Sequence, residues 1–146
     1  MEDLKIKKYG FTGTRDGMNV QQKEEIIKML QKDINDGIEI IASHGDCIGA
    51  DKDFHDLLRS LSIHIKIIIH PGYYKKDIEN KLRAWCENPV EYILEPKPFL
   101  KRNKNIVDNC DILIGCPRTS IEDKRSGTWA TIRYAKKIGK TTIILC

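Results

Sequence analysis

The run Arg125-Ser126-Gly127-Thr128-Trp129 has the residue types of an anion site. If a helix opens there, its first N–H groups lack partners and its macrodipole is positive at that end. The hydroxyls of Ser126 and Thr128 and the Arg125 guanidinium add donors around the same point. The bland alternative is a helix cap with no ligand. Trp129 falls on the Lys-bearing side of that helix, where an indole is either a stacking platform for a base or part of a subunit interface. A second run, Gly10-Phe11-Thr12-Gly13-Thr14-Arg15, closes an apolar strand. Its glycines let backbone N–H groups approach an anion, and Thr12 and Thr14 add hydroxyls; a tight structural turn is the alternative. It is neither the G-x-G-x-x-G fingerprint nor a Walker A loop, and no acid closes the second strand in the usual ribose position. Gly139-Lys140-Thr141 imitates the end of a Walker A loop but lacks the upstream glycine and precedes a strand.

A third cluster runs from His44 to His55, His-Gly-Asp-Cys-Ile-Gly-Ala-Asp-Lys-Asp-Phe-His. Asp51 and His55 stand four apart on one helix edge, and with Asp46 and His44 they could be read as a metal site. No third ligand has diagnostic spacing, so no metal is expected. The bland reading is a helix N-terminal acid favoured by the macrodipole, with His55 solvated; the preferred reading has Asp46 or Asp51 accepting hydrogen bonds from ribose hydroxyls. In the fourth cluster, 99–110, Asn103 falls in the middle of an apolar helix face and Arg102 on its edge. A buried amide costs about 1–3 kcal/mol unless bonded. Asn103 is therefore expected to tie its helix to the Gly10–Arg15 loop, with Arg102 aimed at the same crevice.

The elements that position these clusters follow from the hydrophobic pattern. Apolar strand runs at 5–11, 38–43, 64–70, 90–94, 111–116 and 141–145 alternate with helix-period runs at 20–36, 50–61, 74–88, 98–109 and 128–138. Continuous runs such as Ile67-Ile68-Ile69 suit parallel strands covered on both faces. Gly37 and Gly139 stand where left-handed helix caps want glycine. The alternation predicts an α/β, Rossmann-like, doubly wound, mostly parallel sheet of about six strands in one domain, 1–146. Ligands of such sheets bind at the strand carboxyl ends, near the switch in strand order, where Gly10–Arg15, His44–Asp51, His70–Tyr74, Glu95–Pro98 and Pro117–Thr128 fall.

Composition narrows the classes further. With 146 residues, 40% hydrophobic and 32% charged, the chain excludes disorder. No apolar run reaches the ~18 residues of a membrane span. The acidic start Met1-Glu2-Asp3-Leu4-Lys5 has no secretory core. The five cysteines (47, 86, 110, 116 and 146) have no C-x-x-C spacing, so reduced thiols and a cytoplasmic location are expected. A net charge of +4 permits anionic partners without demanding a nucleic acid.

The whole chain resembles the SLOG superfamily of Rossmann-like proteins, named for the SMF/DprA and LONELY GUY groups. The resemblance rests on Gly10–Arg15, the His44–His55 loop, Arg102-Asn103, Cys110-Asp111-Ile112-Leu113-Ile114 and Arg125–Trp129. It looks closest to small single-domain members of bacteria and their phages. The resemblance implies a ligand with ribose and phosphate, held between the first-strand loop and the Gly127-Thr128 turn, and a homo-oligomer. The LONELY GUY phosphoribohydrolases use P-G-G-x-G-T-x-E-E. Here Gly127-Thr128-Trp129 matches G-T-x, but Ala130 and Thr131 replace the glutamates, and departure of a base needs a carboxylate. Glu122 or Asp51 are the substitutes available, though neither has the same spacing. The expected function is therefore non-catalytic, with no cofactor: sensing or sequestration of an ADP-ribose-type or cyclic nucleotide signal, as in phage–host immunity. A phosphoribohydrolase or N-glycosidase is the alternative. A single-stranded DNA module is third, and no basic stretch interleaved with aromatics supports it.

Overall fold

The chain alternates strand and helix from its first described element. A computed structural model describes residues 5–146; residues 1–4, on which the reading of the acidic start rests, lie outside the described residues. The strands are β1 (Ile6–Gly13), β2 (Glu39–His44), β3 (Lys66–Ile69), β4 (Gly72–Tyr73), β5 (Tyr92–Ile93), β6 (Lys97–Pro98), β7 (Ile112–Cys116) and β8 (Thr141–Ile144). The helices are α1 (Val20–Asn35), α2 (Ala50–Leu61), α3 (Phe99–Asp108) and α4 (Gly127–Lys137). Six strands form one sheet in the order β5-β3-β2-β1-β7-β8, and every pairing in it is parallel. The fold is thus the doubly wound, Rossmann-like α/β sheet that the alternation predicts. No described helix is long and apolar enough to cross a membrane.

Sequence patterning explains each layer. Helix α1 starts at a reciprocal cap, the Asn19 side chain on Gln22 N–H and the Gln22 side chain on Asn19 N–H. It then buries Gln22, Ile26, Leu30 and Asp33, one face at helical spacing. Gly37 and Gly139 follow α1 and α4 with φ of 75° and 80°, as left-handed caps. On the α1/α2 side, Phe11 of β1 stacks on Phe54 of α2 with ring centroids 4.3 Å apart. Full burial of each such ring contributes roughly 1.5–3 kcal/mol. A second, smaller core joins α3 and α4 through Val107, Cys110, Leu113, Trp129 and Ile132. The sheet order reverses between β1 and β7, and that switch opens a crevice at their carboxyl ends.

Two expectations fail. The helix over 74–88 does not form; the segment is a chain of turns in which Asn80 and Trp85 have φ of 53° and 55°. Besides its own turn bonds it is tied to the β2–α2 loop: Ala84 N–H donates to Asp46 O and Ile48 N–H to Leu82 O. Tertiary hydrogen bonds here outweigh helix propensity, and Ile78 is left 90% exposed. The strand over 90–94 contracts to the two residues of β5, while β4 and β6 form a separate parallel pair with no periodic signal in the sequence.

Candidate functional site

A cavity of about 970 Å³ lies over the carboxyl ends of the central strands. That is near the upper end of the range for small-molecule sites. Its walls carry six cationic side chains, Arg15, Lys75, Lys76, Arg102, Arg118 and Arg125, against two carboxylates, Asp51 and Asp123. The field inside therefore favours an anion.

The β7–α4 side is built as its sequence predicts. Ser126 caps α4, and its hydroxyl accepts from Trp129 N–H at 3.3 Å. The N–H groups of Gly127 and Thr128 have no acceptor among the described residues. Thr128 is buried on the cavity wall, and its hydroxyl has no protein partner there either. Across from it stands Thr12, also buried, lining the cavity and unpaired. Arg125 is exposed at the rim, and Arg118 pairs with Asp16 at 2.6 Å. Trp129 is only 8% exposed. It packs into the α3/α4 core and offers the cavity little ring face, contrary to its expected place on the Lys-bearing side.

Gly13, Thr14 and Arg15 line the cavity as predicted. Gly10 does not. Strand β1 runs two residues further than its apolar pattern implies, leaving Gly10 inside it under α3. A Cβ there would lie 2.9 Å from Cys110 Sγ, so Gly10 serves helix packing.

The cavity floor is Arg102 and Asp51. Arg102, placed on the edge of α3 by its periodicity, is 5% exposed. Its guanidinium donates to Gly45 O at 2.6 Å, His70 O at 3.2 Å and Asn103 Oδ1 at 2.8 Å. Gly45 makes room for it, since a Cβ there would fall 2.4 Å from the guanidinium. Asn103 lines the cavity, but its oxygen holds Arg102; it makes no tie to the first-strand loop. Asp51 is 7% exposed, and one of its oxygens accepts from Cys47 N–H at 3.1 Å. Burial raises its pKa to about 6, against the pull of Arg102 and the backbone donors. Burial also raises the Cys47 thiol, which disfavours a thiolate nucleophile.

Asp46, the other expected ribose ligand, faces away from the cavity. It is 1% exposed, takes Arg83 Nε at 2.9 Å and Cys86 N–H at 2.8 Å, and so pins the segment after β4. Beside it, His55 is buried rather than solvated. Asp46 N–H donates to His44 Nδ1, His44 Nε2 meets His55 Nδ1, and His55 Nε2 meets Glu87 O, each at 2.9 Å. These contacts admit one tautomer chain, with the proton on each Nε2. The metal-type group brought together is His44, His55 and Cys86, not the acids Asp46 and Asp51. A metal there would have to displace the His44 Nε2 proton, which the Asp46 N–H bond fixes in place. Cys86 opposes it too, since burial and Asp46 raise its thiol pKa. The bond directions make this a closed structural relay.

Sequence reasoning missed Tyr73, Tyr74 and Phe99, which also line the cavity. The signal available was an aromatic pair, Tyr73-Tyr74, with three residues between it and the end of the isoleucine-rich strand β3. No family model, curated protein or solved structure matches this chain.

Proposed function

We propose that the protein binds, without turning over, a nucleotide-derived small molecule of the ADP-ribose or nucleoside-phosphate type, so as to sense or sequester it. The observation that carries this reading is the set of polar groups at the cavity left unpaired by the protein. They are the Thr12 and Thr128 hydroxyls and the Gly127 and Thr128 N–H groups, with the Asp51 carboxylate beside them on the cavity floor. These groups face the open cavity with no protein partner, so a ligand seated there can bond them. Phosphate oxygens accept from hydroxyls, helix N–H groups and guanidinium; a ribose hydroxyl donates to a carboxylate. The resemblance to SLOG proteins supports the same ligand class.

Two features favour binding over hydrolysis. Ala130 and Thr131 replace the glutamates of the phosphoribohydrolase motif, and the Thr131 hydroxyl is spent on Gly127 O at 2.8 Å. Glu122 is exposed and pairs with Arg133 at 3.0 Å, outside the cavity lining. One observation favours N-glycosidic hydrolysis as a second reading: Asp51, with a pKa near neutrality, lies on the cavity floor where a general acid would be useful. Calorimetric titration tests the first reading. ADP-ribose and AMP should bind saturably, with adenosine at least roughly tenfold weaker, the scale of one charge-assisted bond. Failure of every phosphorylated nucleoside to bind would remove it. Incubation with AMP, deoxynucleotides or NAD should release no base above background; protein-dependent release would replace binding with the second reading and implicate Asp51.

A further inference from the structure

The cavity has a second end. In sheet order β3 and β7 are separated by β2 and β1. Three steps of ~4.8 Å put the segments following them roughly 14 Å apart. After β7 comes the start of α4 with its open donors. After β3 come Tyr73 and Tyr74, held by the pairing of Gly72 with Lys97 and Tyr73 with Pro98. That small clasp sets Tyr74 against Phe99, the first residue of α3. Their rings stack with centroids 6.0 Å apart and planes 10° from parallel. Over the Phe99 ring lie the guanidinium carbons of Arg102, at 5.0 Å, and Arg15, at 5.8 Å. Gly72 is required for this packing, since a Cβ there would fall 2.3 Å from Phe99.

The column is therefore built to place, yet its outer member is left open: Tyr74 is 47% exposed at the cavity wall. Trp129, the other aromatic candidate, has only 8% exposure to offer. Between the two ends lies Asp51. Donors, carboxylate and aromatic ring thus occur across the cavity in the order of phosphate, sugar and base.

We propose, resting on the nucleotide reading above, that the Tyr74–Phe99 wall is the base subsite. The ligand is a nucleoside phosphate whose planar ring stacks on Tyr74 while its phosphate caps α4, and base-free sugar phosphates are discriminated against. Stacking tolerates any planar base, so this end confers affinity for a ring without reading its edge.

Calorimetry with AMP and ribose 5-phosphate tests the assignment. Tyr74→Ala should weaken AMP binding by about tenfold or more and leave ribose 5-phosphate within about twofold, and Tyr74→Phe should retain AMP affinity. An unchanged AMP affinity, or an equal loss for both probes, would overturn the base subsite while the nucleotide reading stands. Failure of AMP, ADP-ribose and ribose 5-phosphate alike to bind the unmodified protein would overturn both. Should Tyr74→Ala not fold, nuclear Overhauser contacts between AMP ring protons and Tyr74 in the unmodified protein decide the same question, and contacts to Trp129 alone would refute it.

Discussion

Two polar clusters lie side by side at the carboxyl ends of the same strands, and they are finished differently. Around His44, Asp46 and His55, every ring nitrogen and carboxylate oxygen meets a partner, the groups are buried, and the bonds fix one tautomer chain. Around Thr12, Thr128 and the start of α4, the side chains are similarly buried but their donors face a cavity with nothing to bond. Both lie beside an Asp of the kind from which chemistry is ordinarily inferred. Bond completion, more than residue type, separates the cluster that holds the fold from the one suited to a ligand.

Breaking the closed cluster should have the largest effect on stability. Asp46→Ala leaves Arg83, whose side chain is 15% exposed, and the Cys86 N–H without their acceptor. Leaving such donors without their acceptor costs about 1–3 kcal/mol, read as a lower urea midpoint. Arg125→Ala in the open cluster should do the opposite. It leaves the urea midpoint unchanged, because the side chain is exposed, and weakens ADP-ribose binding by ~1.5–3 kcal/mol in calorimetry. If Arg125→Ala lowered stability and spared binding, the contrast between the clusters would collapse.

Acid sharpens the contrast with a smaller effect. Burial lowers the pKa of His44 to about 3 and of His70 to about 4. The unfolded chain binds protons near pH 6.5 that these folded histidines refuse, so their contribution is present above 6.5 and lost as pH falls below it. Asp51 has the reverse sign. With its folded pKa raised to about 6, it favours the folded state below about pH 4 and loses that contribution as pH rises from 4 to 6. Net stability should therefore fall between pH 6.5 and 4, opposed in part by Asp51. In Asp51→Asn the fall should be steeper by about one proton, measured as urea midpoints against pH. An equal slope in both proteins would show that Asp51 titrates normally.

The α4 start was legible because the whole device is local: cap, orphan N–H groups and hydroxyls occupy five consecutive residues. The sheet was legible for a similar reason, its strands being continuous apolar runs. The 74–88 segment was not, since its conformation is set by Asp46, some forty residues upstream, through Arg83 and Cys86. Asp46 and Asp51 looked equivalent for the same reason; only the partner, far away in sequence, turns one inward. The aromatic wall needed β4 and β6, two-residue strands too short for any period to register.

The most direct test follows backbone amide shifts in a ¹H–¹⁵N spectrum as ADP-ribose is added. The account predicts the largest shifts at Thr12–Arg15 and at Gly127 and Thr128, with little movement at Asp46, Ala84 and Cys86. Shifts concentrated on the Asp46 and His44 amides, or none anywhere at saturating nucleotide, would contradict it.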